Sequence, residues 1–187
     1  IPVWVNPTYC EKCANNGRTW NVDAFNDLQV AINSGAQKVL VEPGLYRERL
    51  YLVNGVRIFG SGAALTVIAP PTSTTGSLVG AEGIKDASVA LVTLTGGGSQ
   101  NGLSVDAGAV VSVSRVIIRH TNTAVAVDGT AFGASGSASV VLVNNTLVAN
   151  TLGVTVAGCG NVDVSNTIFA YSSGVALSLQ SCATTKL

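Results

Sequence analysis

Val110-Val-Ser-Val-Ser-Arg-Val-Ile-Ile-Arg-His120 is a phrase the chain repeats. It returns as Val140-Val-Leu-Val-Asn-Asn-Thr-Leu-Val-Ala-Asn150 and as Asn161-Val-Asp-Val-Ser-Asn-Thr-Ile-Phe-Ala-Tyr171. An earlier, less regular copy is Ser88-Val-Ala-Leu-Val-Thr-Leu-Thr-Gly-Gly97. Aligned, the copies place Leu94, Ile117, Leu147 and Ile168 in one column, at separations of 23, 30 and 21 residues. Each is followed by a second short strand: Gly102-Leu-Ser-Val-Asp106, Ala124-Val-Ala-Val-Asp128, Gly153-Val-Thr-Val-Ala157 and Gly174-Val-Ala-Leu-Ser178. The long separation comes from a Gly/Ser/Ala insertion, Thr130 to Ala138, expected to loop out between coils. A period of this length with two or three strands predicts a β-solenoid, in which no coil buries its inner residues until a neighbour stacks on it. The Leu-x-x-Leu-x-Leu pattern of a leucine-rich repeat is missing. Asn54-Gly55 is a single hairpin signal, too few for a β-sandwich.

Working outward toward the N-terminus, residues 70–77 are breaker-rich and read as a loop. Before them come strands at Lys38–Val41, Val56–Phe59 and Leu65–Ile68. Asp23 opens the one convincing helix: Phe25, Leu28, Ala31 and Ile32 fall on one face, and Gly35 ends it. Residues 1–22, with Pro2, Pro7, Trp4 and Trp20, read as irregular. The expected organisation is therefore 1–22 irregular, 23–35 a capping helix, 36–180 coils and 181–187 a C-terminal tail.

Composition narrows the function classes. Only 11% of the 187 residues are charged, at zero formal net charge, while 47% are hydrophobic. Disorder needs the reverse balance, and nucleic-acid binding needs clustered Lys and Arg. Mean hydropathy is +0.44, yet no apolar run approaches the roughly 18 residues of a spanning helix, so no membrane insertion is expected. No charged n-region followed by an apolar run opens the chain, so any signal peptide is expected to have been removed. Cys10, Cys13, Cys159 and Cys182 are even in number. They fit disulfides in an oxidising compartment, with three connectivities open. Cys10-Glu11-Lys12-Cys13 also reads as half a zinc site, but the other pair lies about 150 residues on.

Residues 19–180 resemble secreted right-handed parallel β-helix proteins of the pectin-lyase-like kind. The carrying segments are Ala24-Phe25 through Ile32, Val39-Leu-Val-Glu-Pro-Gly-Leu-Tyr-Arg-Glu48, Val56-Arg-Ile-Phe-Gly-Ser-Gly62, Thr66-Val-Ile68 and the coils of 88–179. The resemblance implies an all-β, single-stranded right-handed parallel β-helix (a solenoid) with an N-terminal capping helix, and about six coils. The helix would cover one open edge. No comparable cap follows Leu179, which suggests a fragment or a face covered by further coils or another chain. Cys159 and Cys182 are 23 residues apart, one coil, and are expected to pair; Cys10 and Cys13 form a local disulfide or remain thiols.

Four groups are candidates for chemistry. Asp106 and Asp128 each follow a Val at the end of a second strand. Stacked on neighbouring coils, two carboxylates would share a proton or hold a cation. Pectate lyases bind calcium through exterior Asp, so calcium is the ion the resemblance suggests. Equally, Asp-Gly and Asp-Ala-Gly are turn formers. Arg115, Arg119 and the lone His120 would supply a base or neutralise uronate, or occupy turns, His120 in a column with Gly97, Asn150 and Tyr171. Tyr46, Arg47, Arg49 and Tyr51, near Glu42, form the densest charged and aromatic cluster. It suits sugar stacking, or else a cap held by Tyr46 and Glu48. Asn145 and Asn166 are expected to stack as an Asn ladder, and Asn144-Asn145-Thr146 is a formal N-glycosylation acceptor.

The group's catalytic signatures are missing. Asn122-Thr123 is followed by Ala124 rather than Asp, no Asp-Asp occurs, and His120 precedes Thr121. The chain is therefore expected to be a secreted or cell-surface β-helix, a structural or adhesive module contacting a polysaccharide or surface glycan. The competing reading is a polysaccharide lyase or glycosidase using Asp106, Asp128 and Arg115 or Arg119. A Thr-rich face for ice or a crystalline polymer fails because the Thr residues do not stack over successive coils. No cofactor is implied beyond calcium, and no nucleic-acid partner.

Overall fold

Alternation of apolar and polar residues makes each short segment a strand with one buried face. The computed structural model describes residues 1–71, 76–130, 137–180 and 182–187. Strands β1 (Val3–Val5) and β2 (Ala24–Phe25) and helix α1 (Leu28–Asn33) form the base. The first coil is β3 (Lys38–Val41), β4 (Gly44–Arg47) and β5 (Leu50–Tyr51). The second is β6 (Arg57–Gly60), β7 (Thr66–Ala69) and β8 (Ser77–Glu82). The third is β9 (Ala87–Ala90), β10 (Thr93–Thr95) and β11 (Asn101–Asp106). The fourth is β12 (Val110–Ser114), β13 (Ile117–Arg119) and β14 (Thr123–Asp128). The fifth is β15 (Ser139–Val143), β16 (Thr146–Val148) and β17 (Leu152–Ala157). The sixth is β18 (Asn161–Ser165), β19 (Ile168–Ala170) and β20 (Leu177–Leu179), and β21 (Thr184–Lys186) follows it.

The three strands of each coil belong to three parallel sheets. Sheet A runs β2-β1-β3-β6-β9-β12-β15-β18-β21, sheet B β4 to β19 and sheet C β5 to β20, each ordered by coil. The expected all-β parallel β-helix is what the chain forms. Inward residues stack in columns: Tyr46, Ile68, Leu94, Ile118, Leu147 and Phe169 in sheet B, and Leu50, Val79, Leu103, Val125, Val154 and Leu177 in sheet C. Most are fully buried, each such side chain stabilising the fold by about 1.5–3 kcal/mol.

Register corrects the sequence alignment. The interior column contains Ile118 and Phe169, not Ile117 and Ile168, so the separations are 24, 29 and 22. A one-residue slip reverses faces, and Ile168 is 60% exposed where Ile118 is buried. The last second strand is also displaced: Gly153 is level with Ala176, not Gly174, because Val154 pairs with Leu177. A two-residue slip keeps the faces, so alternation cannot detect it. On this level Gly102 and Gly153 admit no side chain: a Cβ on Gly102 would meet Ala124 O at 2.5 Å and run into Ile118 Cγ2.

The ends differ from expectation too. Within 1–22, Val3–Val5 is a strand of sheet A, between β2 and β3. The helix begins at Leu28 rather than Asp23, because Ala24 and Phe25 pair with Trp4 and Val5. Phe25 is still buried, which is why it fitted the helical face. Asp27 caps α1 by accepting from Val30 N–H. The tail of 181–187 contributes β21, paired with β18. Of the expected 70–77 loop, 72–75 lie outside the described residues and Ser77 begins β8. Within the expected 130–138 insertion, 131–136 lie outside them too.

Corners between sheets are sharp, and non-glycine residues take left-handed φ there. Leu91, Arg115, Asn144 and Asn166 do so between sheets A and B; His120, Ala149 and Tyr171 between B and C; Ala107, Cys159 and Cys182 between C and A. Cys159–Cys182 is a disulfide with Cα atoms 4.6 Å apart, close to the strand spacing between coils. Cys10–Cys13 is also a disulfide, so the zinc reading of that pair is overturned and no thiol is free.

Candidate functional site

Sheet C presents the face with most chemistry. Its strands send alternate residues outward, and parallel register lines these up along the solenoid axis. One outward row is Tyr51, Gly80, Ser104, Ala126, Thr155 and Ser178. Beside it runs Glu82, Asp106, Asp128 and Ala157. Small side chains in the first row make a floor, and acidic ones in the second make a ledge. Tyr51, 58% exposed, stands at the first coil. The Arg49 guanidinium lies 5.9 Å from its ring centroid, while Nε donates to Ser77 O at 2.9 Å. These groups line a groove of about 340 Å³ whose walls include Tyr51, Gly80, Glu82, Ser104 and Asp106.

Asp106 and Asp128 are level on adjacent coils, with Glu82 level on the coil before. The two aspartates nevertheless differ. Asp128 Oδ1 accepts from Thr130 N–H at 2.9 Å and Thr130 Oγ1–H at 3.0 Å, the turn-forming role open from sequence. The Asp106 carboxylate has no hydrogen-bond partner among the described residues. Partial burial, then the charges of Asp128 and Glu82, push its pKa up to about 6. One carboxylate is thus held close to half-protonated at mildly acidic pH beside another engaged in a turn. Calcium fits this row poorly. It takes six to eight oxygens converging on a point, whereas among the described residues no three acidic, His or Cys side chains are grouped for a metal.

The basic candidates are not brought to that pair. Arg115 occupies the A–B corner with φ 55°, and Arg119 points outward from sheet B. His120 is at the B–C corner, level with Gly96 and Ala149 rather than Gly97 and Asn150, since Thr95 pairs with Arg119 and Arg119 with Val148. It lines a separate groove of about 370 Å³ with Thr121, Asn150 and Tyr171. A larger hollow of about 990 Å³ lies between β1, β2 and α1, where Asp23 is the one ionisable side chain among its lining residues.

The Tyr46 cluster divides as well. Tyr46 is buried in the sheet B column and its hydroxyl donates to Val5 O at 3.0 Å and Glu42 O at 2.8 Å, so it cannot meet a ligand. Burial raises its pKa well above the usual phenol. Arg47 points out from sheet B, level with Ala69. Only Arg49 and Tyr51 reach the sheet C groove. Glu48 accepts from Leu28 N–H at 2.9 Å and Gln29 N–H at 3.0 Å, so of the expected pair it is Glu48, not Tyr46, that bonds α1. Glu42 accepts from Asn6 Nδ2–H at 2.7 Å and the Tyr9 hydroxyl at 2.8 Å, and pairs with Arg18 at 3.0 Å. Burial opposes its charge, but these donors bring its pKa below the usual range.

Asparagine roles are exchanged relative to expectation. The ladder joins Asn166 to Asn144, with Asn166 Nδ2–H donating to Asn144 Oδ1 at 2.6 Å. Asn145 is buried instead, donating to Val113 O at 3.0 Å and accepting from Val116 N–H at 2.9 Å. Asn150, expected in a turn column, does the same at the B–C corner with Ile118 O and Thr121 N–H, both at 3.0 Å. The sequence held a signal in Asn-Asn-Thr-Leu-Val-Ala-Asn150: three asparagines placed just where the chain turns.

No protein-family model matches the chain, and no curated protein does. Among solved structures, a pectin methylesterase in complex with a hexasaccharide is 17% identical, with TM-score 0.45, over 86% of this chain and 53% of that one. The pectin methylesterase from Aspergillus niger in deglycosylated form is 11% identical, with TM-score 0.45, over 95% and 73%. The chain spans about half the length of the first listed of these enzymes. A likeness this weak assigns no activity.

Proposed function

We propose that the chain is an extracellular glycan-binding module whose ligand lies in the sheet C groove, along the solenoid axis. The observation that carries this reading is the pair of in-register rows: a floor of Gly80, Ser104, Ala126 and Thr155 beside the exposed ring of Tyr51 and a ledge of carboxylates. Coils about 4.8 Å apart offer one level for each sugar of an extended chain. Ser104 and the carboxylates accept or donate to hydroxyls, and Tyr51 presents a flat apolar face to a pyranose ring. Three stacked carboxylates repel polyuronates once Asp106 ionises, which favours neutral or amino-sugar chains. Two disulfides support an oxidising, extracellular setting, and among the described residues no helix is long and apolar enough to cross a membrane.

The test is calorimetric titration with neutral β-linked hexasaccharides, chitosan oligomers and oligogalacturonates at pH 7.5. Neutral or amino-sugar ligands should bind, at least tenfold more weakly in Tyr51→Ala, with Arg119→Ala unchanged. No binding to either class, or loss in Arg119→Ala alone, refutes the site. Calcium should raise Tm no more than an equal ionic strength of sodium salt. A saturable calcium-specific rise, lost in Asp106→Asn, would establish a cation site instead.

Asp106 supports a second, catalytic reading. A carboxyl raised to about pKa 6 beside a second carboxyl in a different hydrogen-bonded setting is the arrangement that divides acid from base or nucleophile in glycoside hydrolysis. Adjacent-strand spacing suits the close pair of a retaining enzyme, about 5–5.5 Å between carboxyl groups, rather than an inverting one. New reducing ends released from a neutral polymer by the chain, and not by Asp106→Asn, would replace binding with hydrolysis as its function.

A further inference from the structure

The A–B corner carries a motif that the groove does not use. Asn144-Asn145-Thr146 fits the acceptor pattern Asn-x-Ser/Thr with a non-proline middle residue. The corner assigns its two asparagines opposite roles. Asn145 is 2% exposed, and both ends of its amide are engaged by backbone groups of the preceding coil. Asn144 is exposed, takes φ 58°, and projects in the corner column with Arg115 and Asn166. Its Oδ1 accepts from Asn166, whereas its Nδ2 makes no hydrogen bond among the described residues. Thr146 faces outward from sheet B, level with Ile117 and Ile168. Two disulfides fit an oxidising compartment, of which the secretory route of a eukaryotic cell, where such modification occurs, is one.

We propose that Asn144 Nδ2 is the attachment point of an asparagine-linked oligosaccharide. The donor is an oligosaccharide on a lipid diphosphate. The Nδ2–C1 bond forms as the C1–O bond to the diphosphate breaks; the lipid diphosphate leaves with that electron pair, and Nδ2 yields one proton to a base of the transferring enzyme. The amide keeps Oδ1, so the hydrogen bond from Asn166 survives. Attachment before folding is also tolerated, because nothing closes over this side chain in the finished coil. Each coil visits sheets A, B and C in turn, so the A–B corner is the one corner that sheet C does not touch. The oligosaccharide therefore stands clear of the groove of Tyr51 and Asp106.

The test is secretion of the chain from a eukaryotic host, with intact-mass and peptide analysis. One glycan is expected, removed by peptide-N-glycosidase with conversion of Asn144 to aspartate. Thr146→Val, which keeps a β-branched residue on the outer face of sheet B, should lose that mass while retaining Tm and circular dichroism. Groove ligands should titrate alike before and after deglycosylation. Folded, secreted chain with Asn144 unmodified overturns the proposal. A glycan at Asn144 that blocks the sheet C groove overturns the placement. Both outcomes are read by mass and by the effect of deglycosylation, so they are separable from a failure of the chain to bind glycans at all.

Discussion

Asp106 is where stacking acts against a single residue. Carboxylates directly opposite on neighbouring strands cost up to about 1 kcal/mol, and Asp106 has one on each side. Its folded pKa is raised, so the folded state holds this proton more tightly than the unfolded chain. That contribution is complete below about pH 4 and is lost as pH rises through about 6. Asp106→Asn should therefore raise Tm by about 2–4 °C at pH 7.5, with the gain vanishing by pH 4 in differential scanning fluorimetry. Asn145 has the opposite balance. Removing its amide strands Val116 N–H and Val113 O inside the protein, so Asn145→Ala should cost about 2–4 kcal/mol in urea unfolding. Arg115 holds a left-handed corner in which its N–H donates to Val143 O, while its side chain makes no hydrogen bond or ion pair among the described residues. Left-handed φ costs a side-chain-bearing residue about 1–2 kcal/mol and asparagine less, so Arg115→Asn should raise Tm and leave ligand binding unchanged.

At the scale of elements, α1 is six residues long and would not form alone. It persists because Leu28, Ala31 and Ile32 are buried on the first coil, and because Glu48 and Asp27 satisfy its first amides. Glu48→Ala should cost about 1–2 kcal/mol and raise hydrogen exchange in Leu28–Asn33 before the coils respond. The strands were legible one by one, since alternation marks the buried face. Their register was not. Ile117 and Ile118 are both apolar and adjacent, and only the pairing of Thr93 with Ile117 decides which one enters the core. The helix was read too long for a related reason: Phe25 is apolar at helical spacing, yet it reaches the core from a strand.

For the whole molecule, contacts run mainly between neighbouring coils, so stability is a chain of adjacent interfaces. Cys159–Cys182 fastens the last of them across 23 residues. Cys182→Ser should remove about 3 kcal/mol of loop constraint, felt locally: amides of Asn161–Ser165 and Leu177–Leu179 should lose exchange protection while those of β6 to β11 keep theirs. Protection lost equally along the solenoid would contradict a one-dimensional architecture. The groove also belongs to this scale. Tyr51 and Asp106 are 55 residues apart in sequence and share a wall because a single coil lies between theirs in space.

The sequence by itself determined the parallel β-helix, its count of coils, the Cys159–Cys182 pairing and the level stacking of Asp106 with Asp128. Repeat length and alternation predict a β-solenoid; the resemblance to the pectin-lyase-like group implies the parallel β-helix, the coil count, the cysteine pairing and the stacked aspartates. Tertiary structure alone decided which of two adjacent apolar residues is buried, which asparagine turns inward, and that Tyr46 is core while Tyr51 is surface. It also decided that Arg115, Arg119 and His120 stand away from the carboxylates. These depend on register and on the corner conformation of the backbone, which hydrogen bonds between coils set and composition does not encode.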